Sequence, residues 1–438
     1  MSERREVIVV GAGISGLLTA LALSKEGKDV LVIEEMPWIG GVCRSYMVDG
    51  YQVDTGAHII TRIAHGPLKD LMTRYFDVIP NYVAHGKYYV RLNNRVRPFP
   101  WNLQGWFNFD LIPEMDRIYL MKTLFSVSYS FNSGETFSKK SLADLLGTGL
   151  STPTMRFLDC MSVFLTGASM KETPVARFLD SESYKNKSGN VLEKLYNALM
   201  KEGALDQVYP KGGLQSLLTA IETSFPKGKV EVRTEEKVLK IDPDKKTVET
   251  TRGEYCYETI VYSAYASELH GIVPGLSDDY KKSLKKLPKT NALMIWLGLE
   301  EQVFARDGSE IWVDADPYTW AVPISNYDRS LAPKGKQLVG FMSRLPDGSD
   351  TEKEKKKALD AIYGTIPGIE KKAEMTHYQV LIPEKAAWTV NTQFTGIRTP
   401  LKDFYLVGTD TEKRSMGITR ASYSVLKLLD ALKEDRVI

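Results

Sequence analysis

The stretch EVIVVGAGISGLLTALALSKEGKDVLVIE, Glu6 to Glu34, constrains this chain more than any other, because it reads as strand, glycine turn, helix and second strand in one unbroken unit. Val7 to Val10 is a β-branched run of the kind a buried parallel strand requires. Gly11, Gly13 and Gly16 follow at once in GxGxxG spacing. The first glycine permits the tight turn, the second lets backbone approach a pyrophosphate, and the third lets the helix from about Ile14 to Lys25 sit close to the sheet. Phosphates would rest at Ile14 and Ser15, where free N–H groups and the helix dipole favour negative charge. Gly27 stops the helix, and the strand Asp29 to Ile33 ends in Glu34, with Glu35 beside it. An acid about 20 residues beyond the glycines can accept hydrogen bonds from both hydroxyls of an adenosine ribose. A free 2′-OH is implied, which disfavours NADP.

Whether the dinucleotide is NAD or FAD must come from the rest of the chain. At 438 residues the chain is too long for one simple core and suggests two interwoven domains. Fifty-seven basic side chains against 55 acidic ones leave a net charge of +2, which gives no electrostatic case for a nucleic-acid partner. Cys43, Cys160 and Cys256 are odd in number and far apart, so neither a disulfide framework nor a zinc cluster is expected, and a cytoplasmic setting fits. MSERREVIVV enters the first strand directly without a signal-peptide pattern. The longest apolar runs, such as Ala292 to Leu299, fall short of the roughly 20 residues of a spanning helix.

After Glu34 comes EMPWIGGVCRSYMVDGYQVDTGAHII. Gly40 and Gly41 make a second place where backbone can touch a ligand, Arg44 supplies a fixed charge, and Ser45 a hydroxyl. Tyr51 to Thr55 alternates like a strand, and Gly56, Ala57 and His58 form a small-residue corner. A pure NAD enzyme needs no second glycine pair here.

These residues resemble the FAD-dependent superfamily of monoamine and polyamine oxidases, protoporphyrinogen oxidase, phytoene desaturases and UDP-galactopyranose mutases. Its pattern is GxGxxG, an acid closing the second strand, GGRxxS or GGRxRS, then a D-x-G-x-H-like corner against the flavin. Here the matching positions are Gly11, Gly13, Gly16, Glu34, Gly40, Gly41, Arg44, Ser45, Asp54, Gly56 and His58. One departure is that Val42 stands where arginine usually follows the glycine pair. FYLVGTDTEKRSMGITRASYSVLKLLDALK resembles the superfamily's last flavin motif: a strand from Phe404 to Val407, a turn at Gly408, and a helix from about Gly417 to Lys433. The resemblance implies that Asp410 bonds the ribityl or pyrophosphate region. It also implies that Met416, Gly417 and Ile418 present helix N–H groups to the flavin N1 and C2 oxygen. YPKGGLQSLLTAI, Tyr209 to Ile221, is similar to a glycine-pair helix entry in phytoene desaturases, and Val238, within VEVRTEEKVLKI, matches the residue whose backbone meets adenine.

The implied architecture is α/β: a Rossmann-like FAD-binding domain with a parallel sheet, interleaved with an α+β substrate domain with a mixed or antiparallel sheet. The FAD-binding domain would take residues 1–85, 206–272 and 396–438. The substrate domain would take a mainly helical part, 86–205, and a sheet part, 273–395. KYYVRLNNRVR, from Lys87, reads as a hairpin turning at Asn93 and Asn94. Thr136 to Tyr209 reads as helical with breaks at Pro153 and Pro174. For the aromatic stretch at Phe99, Trp101, Trp106, Phe107 and Phe109, core, pocket lining and membrane-touching lip all stay open. Asp110 to Phe131 reads either as a buried helix or as one lying in a bilayer surface, a peripheral contact.

No Ser/His/Asp arrangement and no carboxylate pair at useful spacing occurs, which fits an enzyme whose flavin does the hard chemistry. No metal site is expected, since His65, His85, His270 and His377 are scattered singly. His58 is the single candidate for a catalytic polar role, with a loop-holding role as the alternative. The resemblance implies two-electron, hydride-type oxidation or reduction. The strand ALMIWLGL lacks the lysine that amine oxidases carry there, and the greasy middle segment points to an apolar small molecule, an isoprenoid or polyene as in phytoene desaturases. Oxidation of a porphyrinogen, an amine oxidase-like reaction, a UDP-galactopyranose mutase-like activity, and prenyl-lipid binding without catalysis of the GDP dissociation inhibitor type are the competing readings. Oligomeric state is not readable from the sequence.

Overall fold

The computed structural model describes residues 3–132, 136–185, 206–306 and 308–438, and two sheets of seven strands organise them. In the first, Val230–Arg233, Val30–Ile33, Glu3–Val10 and Glu254–Tyr262 lie parallel and side by side, with Phe404–Leu406 parallel to the far end of the last. Two antiparallel strands, Thr247–Thr250 and Val238–Asp242, extend it. Parallel strands covered on both faces must be apolar on both, and no residue of Val7–Val10 or Val30–Ile33 is more than 6% exposed. Val7, Val9, Val30 and Val32 meet Leu17 and Leu21 of the first helix, Leu217 and Ile221 of the helix Leu214–Thr223, and Val425 and Leu428 of the C-terminal helix Gly417–Glu434. Ile8, Val10, Leu31 and Ile33 face the opposite way, into Tyr255, Tyr257, Leu269 and Leu284. Full burial of a valine or leucine stabilises by roughly 1.5–3 kcal/mol, so this two-sided packing fixes the strand whose end carries the glycine turn.

The second sheet runs Ala373–Leu381, Ala292–Leu299, Gln337–Arg344, Thr319–Val322, Ser309–Trp312, Tyr88–Leu92, Arg95–Pro98. Its neighbours are antiparallel except Ser309–Trp312 against Tyr88–Leu92. The hairpin ending in Arg95–Pro98 turns at Asn93 and Asn94, both with positive φ, as a two-residue turn matched to strand twist requires. The fold is therefore α/β, a Rossmann-like sheet interleaved with a mixed one. The first sheet draws on residues 3–33, 230–262 and 404–406, the second on 88–98, 292–344 and 373–381.

The proline positions of the helical region differ from the sequence reading. Pro153 and Pro174 begin helices instead of breaking them, since Pro153 lies in the first turn of Thr152–Thr166 and Pro174 directly precedes Val175–Lys185, where a missing N–H costs nothing. The remainder of that expected helical stretch, 186–205, lies outside the described residues. Of the readings left open for Asp110 to Phe131, the helix Glu114–Asn132 takes neither fully: Leu120, Met121 and Val127 are buried, while Met115 is 74% and Tyr129 77% exposed, and Ile118, Tyr119, Leu124 and Phe125 are exposed as well. Phe109 is buried, Phe99, Trp101 and Trp106 are partly buried against the same core, and Phe107 is exposed. Among the described residues no helix is long and apolar enough to cross a membrane.

Candidate functional site at the strand ends

Three strand ends meet at one place. Val10, Tyr262 and Leu406 are in register across adjacent parallel strands, so Gly11, Ser263 and Gly408 emerge together at the carboxyl edge, where ligands of open α/β sheets bind. Gly11 turns with φ +99°, and a Cβ on Gly16 would lie 2.0 Å from the Gly11 carbonyl oxygen, which is why the helix can seat so closely. Gly13 caps the helix Ile14–Lys25 without a side-chain hydrogen bond, and a Cβ built on it would meet nothing within 4 Å. The first-turn N–H groups at Ile14 and Ser15 thus start from an open cradle with no acid in the first turn.

The second glycine pair completes that cradle. Gly40 donates to the Ala12 carbonyl at 2.8 Å and bridges to Gly13, while the nearest atom to a Cβ on Gly41 would be the Gly13 Cα. Glu34 accepts from Ala12 N at 2.7 Å and Met36 N at 2.9 Å, so its carboxylate is held beside the glycine turn. Glu35 is exposed and faces Lys237 at 3.6 Å, next to Val238 at the start of its strand. Arg44 lies between the rings of Trp38 and Tyr46, 4.1 and 4.7 Å from their centroids.

Behind the cradle, one buried carboxylate ties three sequence-distant motifs. Asp54 accepts from Ser45 Oγ at 2.6 Å, from Tyr209 Oη at 2.6 Å and from Leu214 N at 3.3 Å. Burial pushes its carboxyl up to about 6 against these three donors. Gly213 serves the same hub, since with φ +82° a Cβ there would run into Ser45 Oγ at 2.6 Å. The second sheet is bolted on by Gln379. Its amide nitrogen donates to the Asp54 carbonyl at 2.9 Å and Tyr46 Oη at 2.7 Å, and its oxygen accepts from Gly56 N at 2.8 Å. Next to Gly56 and Ala57, His58 contacts Gly56 O at 3.4 Å and Cys43 Sγ at 4.0 Å. Burial lowers the His58 imidazole to about 4 and raises the Cys43 thiol to about 12, so both are neutral at physiological pH.

At the C-terminal motif, Asp410 is buried and accepts from Ala266 N at 2.9 Å. Burial raises its carboxyl, and Lys385 opposes that. Gly417, φ +53°, opens the last helix, and its N–H donates to the carboxylate of Glu384, which also pairs with buried Arg420 at 3.0 Å. Ile418 points into the core. Met416 and Glu384 border a cavity of about 90 Å³ between the helix Thr152–Thr166 and the second sheet, lined also by Val163, Phe164, Ile311, Trp320 and Met342. A larger groove of about 480 Å³, beside Tyr46 and the helix Leu214–Thr223, has no charged side chain in its lining and offers a diphosphate no counter-charge.

Sequence reading placed no role on Lys385, Glu384, Gln379 or Arg420. None belongs to a spaced motif, and only Gln379 carries a signal, as a polar residue on the inward side of a strand. Among the described residues no group of His, Cys, Asp and Glu could hold a metal.

The site fits a dinucleotide flavin on structural grounds. The glycine cradle is open at Gly13, and Ser263 Oγ is buried beside Gly16 without a hydrogen-bond partner. The family model of flavin-containing amine oxidoreductases matches residues 14–411. The chain is 25% identical over 402 residues to a 4,4′-diapolycopen-4-al dehydrogenase of Metabacillus indicus, covering 78% of this chain and 76% of that one. It is 42% identical over 64 residues to the all-trans-retinol 13,14-reductase of Rattus norvegicus, a match spanning 15% of this chain and 10% of the reductase. The crystal structure of an oxidoreductase from Methanosarcina mazei superposes with a TM-score of 0.80 at 19% identity, over 97% of this chain and all of that one. With the family pattern running through the glycine cradle, the Asp54 corner and the strand end at Gly408, the chain belongs to the flavin-containing amine oxidoreductase family and is an FAD-dependent oxidoreductase.

Proposed function

We propose that this oxidoreductase acts on a carbon–carbon bond of an isoprenoid or polyene. The observation that carries this reading is the lining of the cavity beside Met416: Val163, Phe164, Ile311, Trp320 and Met342 give an apolar, aromatic wall. At about 90 Å³ it lies well below the roughly 300 Å³ of a pocket that encloses a whole drug-sized ligand. It suits one narrow segment of a longer molecule better than a macrocycle. Strand Ala292–Leu299, which forms part of the roof, contributes no lysine of the amine-oxidase kind. The similarity to the dehydrogenase of a polyene aldehyde points the same way.

Bound FAD supplies a two-electron carrier. The chain's own residues orient the substrate segment against the Phe164 and Trp320 rings and exclude water through the fully buried strand Ala292–Leu299 and helix Thr152–Thr166. His58, neutral and buried against Cys43, adds no charge to that environment. The exposed apolar side chains of the helix Glu114–Asn132 support a further part of this reading, contact with the lipid surface from which such a substrate would be drawn.

The test is anaerobic incubation of the flavin-loaded protein with polyprenyl and polyene compounds in vesicles, in both redox directions. Parallel reactions receive coproporphyrinogen, putrescine and UDP-galactopyranose. A mass change of two hydrogens in the isoprenoid, with bleaching or return of the flavin colour, is expected. Turnover of a porphyrinogen, amine or sugar nucleotide with none on isoprenoids overturns the reading.

A further inference from the structure

The segment after the second glycine pair lacks the arginine that the family usually carries, and Val42 in its place packs against the core under the first sheet. Arg44 is stacked between Trp38 and Tyr46. A different cation occupies the strand ends. Lys385, from the loop after strand Ala373–Leu381, donates from Nζ to the carbonyls of Ser263 and Ala264, the latter at 3.0 Å. Those carbonyls adjoin Gly11, where a Cβ would lie 3.2 Å from Ala264 N. A Cβ on Gly408 would lie 3.0 Å from the ammonium itself. The charge therefore sits where the three parallel strands end.

This ammonium faces the Tyr265 ring at 5.7 Å and, among the described residues, has no carboxylate in direct contact. Its hydrogen bonds there go to carbonyls and not to a carboxylate, and the nearby Asp410 directs Oδ2 to Ala266 N. Burial lowers the Lys385 pKa, while the more distant charges of Asp410, Glu34, Glu268 and Glu384 oppose the shift. A desolvated charge with no opposite charge in contact costs several kcal/mol, and neutral carbonyls relieve only part of that. An ammonium has three donors, and the two carbonyls take two of them. The buried hydroxyl of Ser263, in the residue whose carbonyl the ammonium binds, has no hydrogen-bond partner among the described residues.

We propose that Lys385 is the counter-charge for the diphosphate of FAD, supplied from the substrate-sheet side of the fold in place of an arginine at position 42. The third ammonium donor then meets a phosphate oxygen at the strand ends, where the loop already holds the lysine. The inference rests on FAD being the cofactor, and a wild-type protein that takes up FAD secures that separately from the role of Lys385.

The variant that tests it is Lys385→Gln, which keeps a neutral donor for the carbonyls. Deflavinated protein is titrated with FAD by fluorescence quenching, and the thermal midpoint of the apoprotein is read alongside. A charge-assisted hydrogen bond contributes about 1.5–3 kcal/mol, so FAD affinity should fall about 10- to 100-fold with little change in the apoprotein midpoint. Val42→Arg added to Lys385→Gln should restore part of the loss, a rescue that a merely structural lysine would not show. Unchanged FAD affinity in Lys385→Gln overturns the proposal. Should that variant not fold, amine labelling of wild-type apoprotein decides. Protection of Lys385 by ADP and not by adenosine is expected, and equal labelling with the two overturns the proposal.

Discussion

Asp54 is the group through which pH should act most directly on this fold. Its carboxyl is buried and is pushed up to about 6 from an ordinary value near 3.8, because desolvation outweighs the donors Ser45, Tyr209 and Leu214. At roughly 1.4 kcal/mol for each tenfold change in proton affinity, that rise is worth about 3 kcal/mol. The sign follows from proton binding. The folded state holds this proton more tightly than the unfolded state, so the associated stability is fully present below about pH 4 and is lost as pH rises through about 6. Asp54→Asn has no proton to lose, and its part of the slope should vanish. The substitution has its own cost, because one amide oxygen now serves donors that met two carboxylate oxygens. A hydroxyl left mispaired costs about 1–3 kcal/mol. At about pH 4.5 the variant should therefore be less stable than wild type by that amount, and by about pH 7.5 the gap should close by about 2 kcal/mol, bringing the two to within about 1 kcal/mol of each other. For 438 residues about 1 kcal/mol moves the thermal midpoint by about 1 °C. Because part of the roughly 3 kcal/mol is already lost by about pH 4.5, about 2 kcal/mol of it falls within this pH range, and the variant-minus-wild-type midpoint should climb by about 2 °C, measured by calorimetry at constant FAD saturation. A difference that stays flat would refute the reasoning and show that the three donors hold Asp54 ionised throughout.

Two other substitutions separate cofactor space from structural packing. Gly13→Val places its side chain in open space and should give a folded protein with little flavin. Gly16→Ala, whose Cβ would lie 2.0 Å from the Gly11 carbonyl, should instead lower the yield of folded protein. Flavin content per folded chain distinguishes the two, and equal behaviour would contradict the assigned roles. Arg420→Met removes the buried partner of Glu384 and the donors to Ser415 O and Ala386 O. It should cost about 3–5 kcal/mol, read as a similar number of degrees in midpoint, and Glu384→Leu added to it should recover part of the loss.

Much of the first sheet was readable because its signals are local. A β-branched run, a glycine triplet and an apolar helix need only neighbours within a few residues to declare a strand, a turn and a helix. The extents Ile14–Lys25 and Gly417–Glu434 follow those signals almost to the residue. The prolines at 153 and 174 misled because a proline reads as a break only when the helix start beside it is unknown. The reading of the helix Glu114–Asn132 stayed open because apolar content carries no direction: Leu120, Met121 and Val127 face inward while Met115, Phe125 and Tyr129 face outward, which composition cannot say.

The sequence by itself determined that a dinucleotide cradle forms at the end of the first strand and that segments from both ends of the chain follow one family pattern, since backbone propensity and glycine spacing are properties of the chain alone. Tertiary structure decided which charges stand in that cradle. Asp54 became a hub because Ser45, Tyr209 and Leu214 arrive from three distant segments. Glu384 caps the last helix and Lys385 sits over the strand ends because the loop of the second sheet folds back across the first. Electrostatic partnership depends on distance in space and on exclusion of water, and neither is written in the order of the residues.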